Sequence, residues 1–329
     1  TRTKAVMGIP DESFWAPDDL VAAYRAHVAG RGNNLRGAWI TASATVTSTP
    51  EWQAAWAGTG TPGWDADLPA YELGESVATR KAIQKALDAT YDQLPGLISG
   101  SADLTGSNGT GLARTTAFTA DDPAGRYLHY GIREHAMGSA LVGMARHGGT
   151  LPISGTFFVF ADYMRPPIRL AALSNAKCCF VFTHDSVGVG EDGPTHQPVE
   201  HLATLRAMPN LHVIRPADGN ETIHAWADVV RHDGPSVLVL SRQNIRVTTD
   251  GSAVERGAGI VTDSADAPSV VLVGTGSEVE VCVDAAAALN ERGVAARAVS
   301  LPSWDRFAEQ DRSFRDEILP PGVPVVSVE

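Results

Sequence analysis

The chain has 329 residues, 43% of them hydrophobic and 19% charged, with a formal net charge of -12 at pH 7. That balance reads as a water-soluble globular protein of about two domains, and with no long basic run it excludes an electrostatic nucleic-acid binder. No secretory signal peptide is found, and no apolar run approaches the roughly 20 residues that a membrane span requires.

Residues 1–70 read as a leader rather than a complete domain. Pro17-Asp18-Asp19-Leu20 can open a helix reaching about Ala29, and residues 51–57 can form another, with Gly, Ser, Thr and Pro between them. From Tyr71 onward helix and strand alternate. The spacing predicts a helix over 75–91, a strand over 97–100, a helix over 133–146 and a strand over 151–154. A helix then begins near Phe158, in which Pro166-Pro167 should impose a kink or a restart. Next come a strand at 178–182, a helix at 199–207, a strand at 211–214, a helix at 220–230 and a strand at 236–241. Such alternation implies a parallel sheet covered on both faces, an α/β domain over 71–247.

A turn-rich connector at 248–252 leads to a second α/β unit, 253–329, with strands at 269–273, 295–300 and 323–328 and a helix at 276–292. Because the sequence stops on a strand, this unit is expected to be incomplete. Gly274-Thr275-Gly276-Ser277 could be mistaken for a dinucleotide turn. It lacks the third glycine and no acid follows the next strand, so a helix N-cap is the expected role. Cys178, Cys179 and Cys282 form no disulfide framework; reduced, buried thiols are expected, which favours a cytoplasmic protein.

The densest chemistry lies in T-H-D-S-V-G-V-G-E-D-G-P-T-H-Q-P-V-E-H, residues 183–201, directly after the apolar strand 178–182. Polar residues at the C-terminal end of such a strand sit where open α/β sheets bind ligands, and three glycines let the segment fold back on itself. A zinc site is not supported, since His184, Asp192 and His196 lack a helical ligand pair such as H-E-x-x-H.

Four motifs in order then become specific: S-A-D-L-T-G-S-N at 101–108, H-Y-G-I-R-E-H-A-M at 129–137, G-E-D-G-P-T-H-Q-P-V-E at 190–200 and L-S-R-Q-N at 240–244. Together they resemble transketolase, over its pyrimidine-binding domain and part of the C-terminal domain, with residues 1–70 similar to its interdomain linker. Deoxyxylulose-phosphate synthase shares D-G-P-T-H, but the Q-P-V-E continuation and L-S-R-Q-N favour transketolase; the motifs do not exclude dihydroxyacetone synthase.

The resemblance implies a thiamine-diphosphate-binding fold and reversible transfer of a two-carbon ketol unit from a ketose phosphate such as xylulose 5-phosphate to an aldose phosphate such as ribose 5-phosphate, in the pentose phosphate pathway. It implies that Glu134 is the carboxylate beside N1′ of the aminopyrimidine. Phe157, Phe160 and Tyr163, spaced i, i+3, i+6 and so expected on one helical face, would form the aminopyrimidine pocket, with Phe160 stacking on the ring. Asp103 would lie near the cofactor across a subunit boundary. Arg80, Ser107, His184 and Arg242 would hold the sugar's terminal phosphate, and Asp192 and His196 would contact its hydroxyls, His196 also relaying protons. His135 and His201 are left structural.

The family binds the diphosphate and its Mg²⁺ through a G-D-G motif that this sequence lacks, so the metal ligands are expected outside it. A partner bearing G-D-G is therefore implied, in a homodimer or heterotetramer. The chain is then a subunit of a divided enzyme, part of a longer one, or a non-catalytic regulatory subunit; retention of Glu134, Arg80 and Arg242 argues against the last.

Overall fold

Runs such as Cys179–Thr183 and Ser236–Leu240 carry no polar face, so a sheet built from them must be covered on both sides. The computed structural model, which describes residues 1–329, contains that sheet. Its strands are β1 (Leu97–Ser101), β2 (Tyr127–His129), β3 (Leu151–Phe157), β4 (Cys179–Thr183), β5 (His212–Ile214) and β6 (Ser236–Leu240). All are parallel, in the spatial order β2-β1-β3-β4-β6-β5.

Four helices cover it. α1 (Thr79–Thr90) and α4 (Gly219–Arg231) lie on one face, α2 (Glu134–His147) and α3 (Ala161–Ser174) on the other. Successive residues of β4 divide between two cores: Cys179 and Val181 pack with Leu87, Leu151 and Trp226, whereas Phe180 and Phe182 pack with Met137, Leu141 and Ile168. Trp226 is fully buried, and its indole N–H donates to Thr90 Oγ1 at 3.0 Å, avoiding the roughly 1–3 kcal/mol that an unpaired buried donor costs.

Of the kink or restart expected at Pro166-Pro167, the restart does not occur, and α3 is one element. Each proline removes a bond to the carbonyl four residues earlier, here those of Asp162 and Tyr163, two exposed residues in the first turn of the helix. The helix also gains a contact there. A β-carbon at Gly138 of α2 would lie 2.8 Å from Pro167 Cγ, so glycine lets the two helices close against each other.

A second sheet follows, with β7 (Gly259–Thr262), β8 (Val270–Gly274), β9 (Ala296–Ser300) and β10 (Val325–Val328) in the order β10-β8-β9-β7. Strands β8, β9 and β10 are parallel, and α5 (Glu278–Glu291) packs on them. β7 is antiparallel to β9 and was not expected, being only four half-buried residues on an edge. The predicted helix over 75–91 begins only at Thr79; Ser76–Val77 before it pairs instead with Ile245–Arg246.

The chain divides into two compact units, residues 1–49 and 50–329. The first contains a helix, Asp18–Ser43, that runs well past the expected end near Ala29. Gly30, Gly32 and Gly37 each cost about 1 kcal/mol relative to alanine but break no helical hydrogen bond, and no proline occurs between Pro17 and Pro50.

At the seam of the two sheets, His212 of β5 is buried between two carboxylates. Its Nε2 is 2.7 Å from Asp228 of α4 and its Nδ1 is 2.5 Å from Asp305, while Arg306 also reaches Asp228. Burial lowers the imidazole's affinity for protons, but the hydrogen bonds and charges of Asp228 and Asp305 outweigh it and raise the pKa to about 9. A folded-state pKa above the unfolded 6.5 makes this contribution complete below pH 6.5 and lost as pH rises through 9. The thermal midpoint should therefore fall between pH 6.5 and 9, and His212→Gln should flatten that fall; an unchanged slope in the variant would remove His212 as its cause. Buried Glu221, raised to about 8 by burial and then by Asp218, adds a decline of the same sign between pH 4.5 and 8.

Candidate active site

Parallel strands bring their C-terminal ends to one edge, and the register levels Phe157 of β3 with Thr183 of β4, and Thr183 with Leu240 of β6. The residues that follow, including Phe160, His184 and Arg242, leave the sheet side by side. β1 contributes Asp103 and Ser107 at the same edge. Strand order reverses between β1 and β3, and the crevice at such a point is where open α/β sheets bind ligands.

One end of the edge is cationic. Arg80, in the first turn of α1, donates from Nη1 to the Ser107 carbonyl at 2.9 Å and from Nε to the Arg242 carbonyl at 3.2 Å. The neighbouring pair Thr79 and Ser241 interlock, each backbone N–H donating to the other's hydroxyl at 3.1 and 2.7 Å, which fixes the start of α1 against the end of β6. Burial, and then the proximity of Arg242, lower the pKa of Arg80. His184 is buried, with Nδ1 2.9 Å from Thr183 Oγ1. Burial lowers its pKa to about 4, Arg80, Arg242 and His196 push the same way, and Asp192 opposes them. At neutral pH His184 is thus an uncharged imidazole beside two guanidinium groups.

The other end is aromatic. The rings of Phe157 and Phe160 are 6.2 Å apart and within 10° of parallel, Tyr163 continues the row at 6.1 Å, and His196 stands edge-on to Phe160 at 5.3 Å. Phe157 also lies 3.8 Å from His184, joining the two ends. The expected single helical face is wrong in detail: Phe157 ends β3, Phe160 closes a 3₁₀ turn and Tyr163 sits in the first turn of α3. A period of three cannot distinguish a helix from this strand-turn-helix path.

Glu134 opens α2 and is 7% exposed, with one side-chain hydrogen bond, a long one of 3.4 Å from Thr156 Oγ1 of β3. A nearly buried carboxylate so lightly engaged, on the same edge as two near-parallel rings, fits a flat heterocycle whose ring nitrogen can share a proton with it. Its neighbour His135 is exposed.

Asp192 and His196 lie in successive 3₁₀ turns, Val187–Asp192 and Pro194–His196; Asp192 is exposed, His196 half-buried, its Nδ1 2.9 Å from Thr195 Oγ1. Asp103 is exposed with φ 63°. It and His184, also at φ 63°, are two of the five non-glycine residues with positive φ, a conformation that costs on the order of 1–3 kcal/mol and concentrates at functional sites.

His201 is more than the ordinary helix residue expected. It is buried, its Nε2 3.4 Å from Asp162 and its Nδ1 4.0 Å from Glu200 while accepting from the Val199 N–H. These three side chains are close enough to share an ion, but the acids address opposite ring nitrogens, an arrangement that orients an imidazole rather than closes around a metal.

A family model described as the transketolase pyrimidine-binding domain matches residues 75–248. The chain belongs to the transketolase family. A second model, the transketolase-like C-terminal domain, matches 257–329. Transketolase from Geobacillus stearothermophilus is 46% identical over 95% of this chain and 48% of its own length, so the chain spans about half the length of the curated relatives it matches. The solved transketolase from Leishmania mexicana superposes with a TM-score of 0.92 at 42% identity, over 99% of this chain and 50% of that one. A solved chain described as a split-gene transketolase, an inactive β4 tetramer, matches with a TM-score of 0.60 at 26% identity, over 77% of this chain and 88% of that one.

Thr156, Asp185 and Arg215 are additional residues at this transketolase edge to which the sequence alone assigned no role, although Asp185 lies within the 183–201 stretch. Thr156 bonds Glu134, and Arg215 Nε donates to Asp185 Oδ2 at 2.9 Å. Asp185 and Arg215 follow the ends of β4 and β5, a position that marks them in retrospect.

Proposed function

We propose that this chain is the pyrimidine-side half of a transketolase, moving a two-carbon ketol group from a ketose phosphate such as xylulose 5-phosphate to an aldose phosphate such as ribose 5-phosphate. What carries the reading is that a lightly bonded buried carboxylate, Glu134, shares one sheet edge with an aromatic wall and with the Arg80–His184–Arg242 cluster. Thiamine diphosphate, when bound, supplies the electron sink that cleaving a bond next to a carbonyl requires.

In this reading Glu134 holds a proton shared with the aminopyrimidine, and Phe157, Phe160 and Tyr163 orient that ring and exclude water. Arg80, Ser107, His184 and Arg242 bind the terminal phosphate through charge-assisted and neutral hydrogen bonds. Asp192 and His196 bind sugar hydroxyls, and His196, with Nδ1 beside Thr195, moves protons at Nε2. Asp103 lies near the cofactor across a subunit boundary. The diphosphate and its Mg²⁺ are held by a G-D-G-bearing domain on another chain or segment, within a homodimer or heterotetramer. Three free, buried thiols, Cys178, Cys179 and Cys282, are consistent with a cytoplasmic enzyme.

Mixing the chain with a G-D-G-bearing partner, thiamine diphosphate and Mg²⁺ should yield transfer from xylulose 5-phosphate to ribose 5-phosphate, with the chain alone inactive. Transfer to formaldehyde only would make it a dihydroxyacetone synthase. Silence with every partner would support a regulatory subunit.

A further inference from the structure

Gly274-Thr275-Gly276-Ser277, which resembles a nucleotide turn in sequence, has another use in the fold. Ser277 does stand at the N-cap of α5, but its hydroxyl bonds Glu278 at 3.0 Å rather than a helix N–H. Gly276 has φ 54°, and a β-carbon there would lie 2.5 Å from Arg215 Nε. The turn is the seat of Arg215.

Arg215 is 2% exposed, and its guanidinium is engaged through Nε on one side and Nη1 on the other. Nε donates to Asp185 at 2.9 Å; Nη1 donates to the Thr275 carbonyl at 3.1 Å and Thr275 Oγ1 at 3.0 Å, and lies 2.6 Å from Glu278 Oε2. Its main chain is tied to the second sheet as well, through Arg215 N–H to the Pro302 carbonyl and Gly276 N–H to the Arg215 carbonyl. Asp185, its side chain 1% exposed, follows the left-handed His184 directly. Since β6 lies between β4 and β5, the Asp185–Arg215 pair crosses the end of the strand from which Arg242 departs.

We propose that Arg215 is a positioning residue for phosphate recognition: anchored by Thr275 and Glu278 of the second domain, it holds Asp185, and through it His184, in place beside Arg80 and Arg242. This rests on the reading of those residues as the phosphate-binding group. The second domain thereby acts on the site without touching substrate. A planar fork is required, because an ammonium cannot reach Asp185, Thr275 and Glu278 with fixed directions at once.

The test uses the full chain with Arg215→Lys and Glu278→Gln, reading the His184 titration by NMR and inorganic phosphate binding by calorimetry. The pKa of His184, about 4 in the parent, should rise by about one unit or more in Arg215→Lys and by about half a unit in Glu278→Gln as the imidazole leaves its desolvated, cation-flanked position. Phosphate affinity should fall about tenfold and threefold respectively, tracking the lost charge-assisted geometry. A merely structural loss would lower the melting temperature and leave the His184 titration of the folded protein where it was. That result in Arg215→Lys overturns the proposal; if that variant does not fold, Glu278→Gln, with a side chain only partly buried, decides alone. A parent chain that binds no phosphate, while His184 still shifts in the variants, would sink the phosphate-binding reading and spare the coupling.

Discussion

Replacing Glu134 by alanine should lower ketol transfer in the reconstituted enzyme by on the order of 10²–10⁴-fold, the range that a positioned proton-transfer group contributes. The fold should survive. Glu134 is engaged by one 3.4 Å hydrogen bond from Thr156, and an acid in the first turn of a helix is worth only about 0.3–1 kcal/mol. Glu134→Gln is the sharper variant, since it keeps the volume and can still accept from Thr156 while losing the capacity to take a proton. Both should retain the parent's thermal midpoint within a few degrees and should not restore activity when thiamine diphosphate is raised, because the loss is in proton transfer and not in occupancy. Turnover within about tenfold of the parent in either variant would remove Glu134 from the chemistry.

The strands were legible because they are extreme: Cys179–Thr183 and Ser236–Leu240 are buried on both faces, and no other element of that length tolerates such a run. The clustering of Arg80, His184 and Arg242 was legible because motifs fix their neighbours and parallel strands fix which ends meet. What escaped detection depends on tertiary placement. Asp185 and Arg215 each follow a strand end, but nothing local says that they pair; they meet across thirty residues only because β4 and β5 end at one edge. Gly276 looked like half a nucleotide motif because the same absence of a β-carbon serves close approach by a phosphate or by a guanidinium. The row Phe157, Phe160 and Tyr163 was assembled correctly for the wrong geometric reason, since strand end, 3₁₀ turn and helix start happen to preserve the spacing.

Truncating Arg242 to alanine should raise the KM for a phosphorylated donor by about 10- to 100-fold, the equivalent of one or two charge-assisted hydrogen bonds, and leave kcat within about threefold. Arg242 is the cleaner of the two arginines to remove. Its carbonyl, which Arg80 Nε engages at 3.2 Å, survives the substitution, whereas Arg80→Ala also releases the Ser107 carbonyl from its 2.9 Å bond and should cost more. Because the two guanidinium groups share a partner and repel one another, the double variant should lose less than the product of the single effects. An unphosphorylated ketol donor supplies the control, since neither substitution should alter its KM appreciably. The pH dependence separates contributions further: with a pKa of about 4, His184 is neutral throughout the range from pH 6 to 8, so the KM of the parent should follow the second ionisation of the substrate phosphate, near pH 6, with no step from His184. An equal rise in KM for both donors would move Arg242 from phosphate recognition to general support of the site.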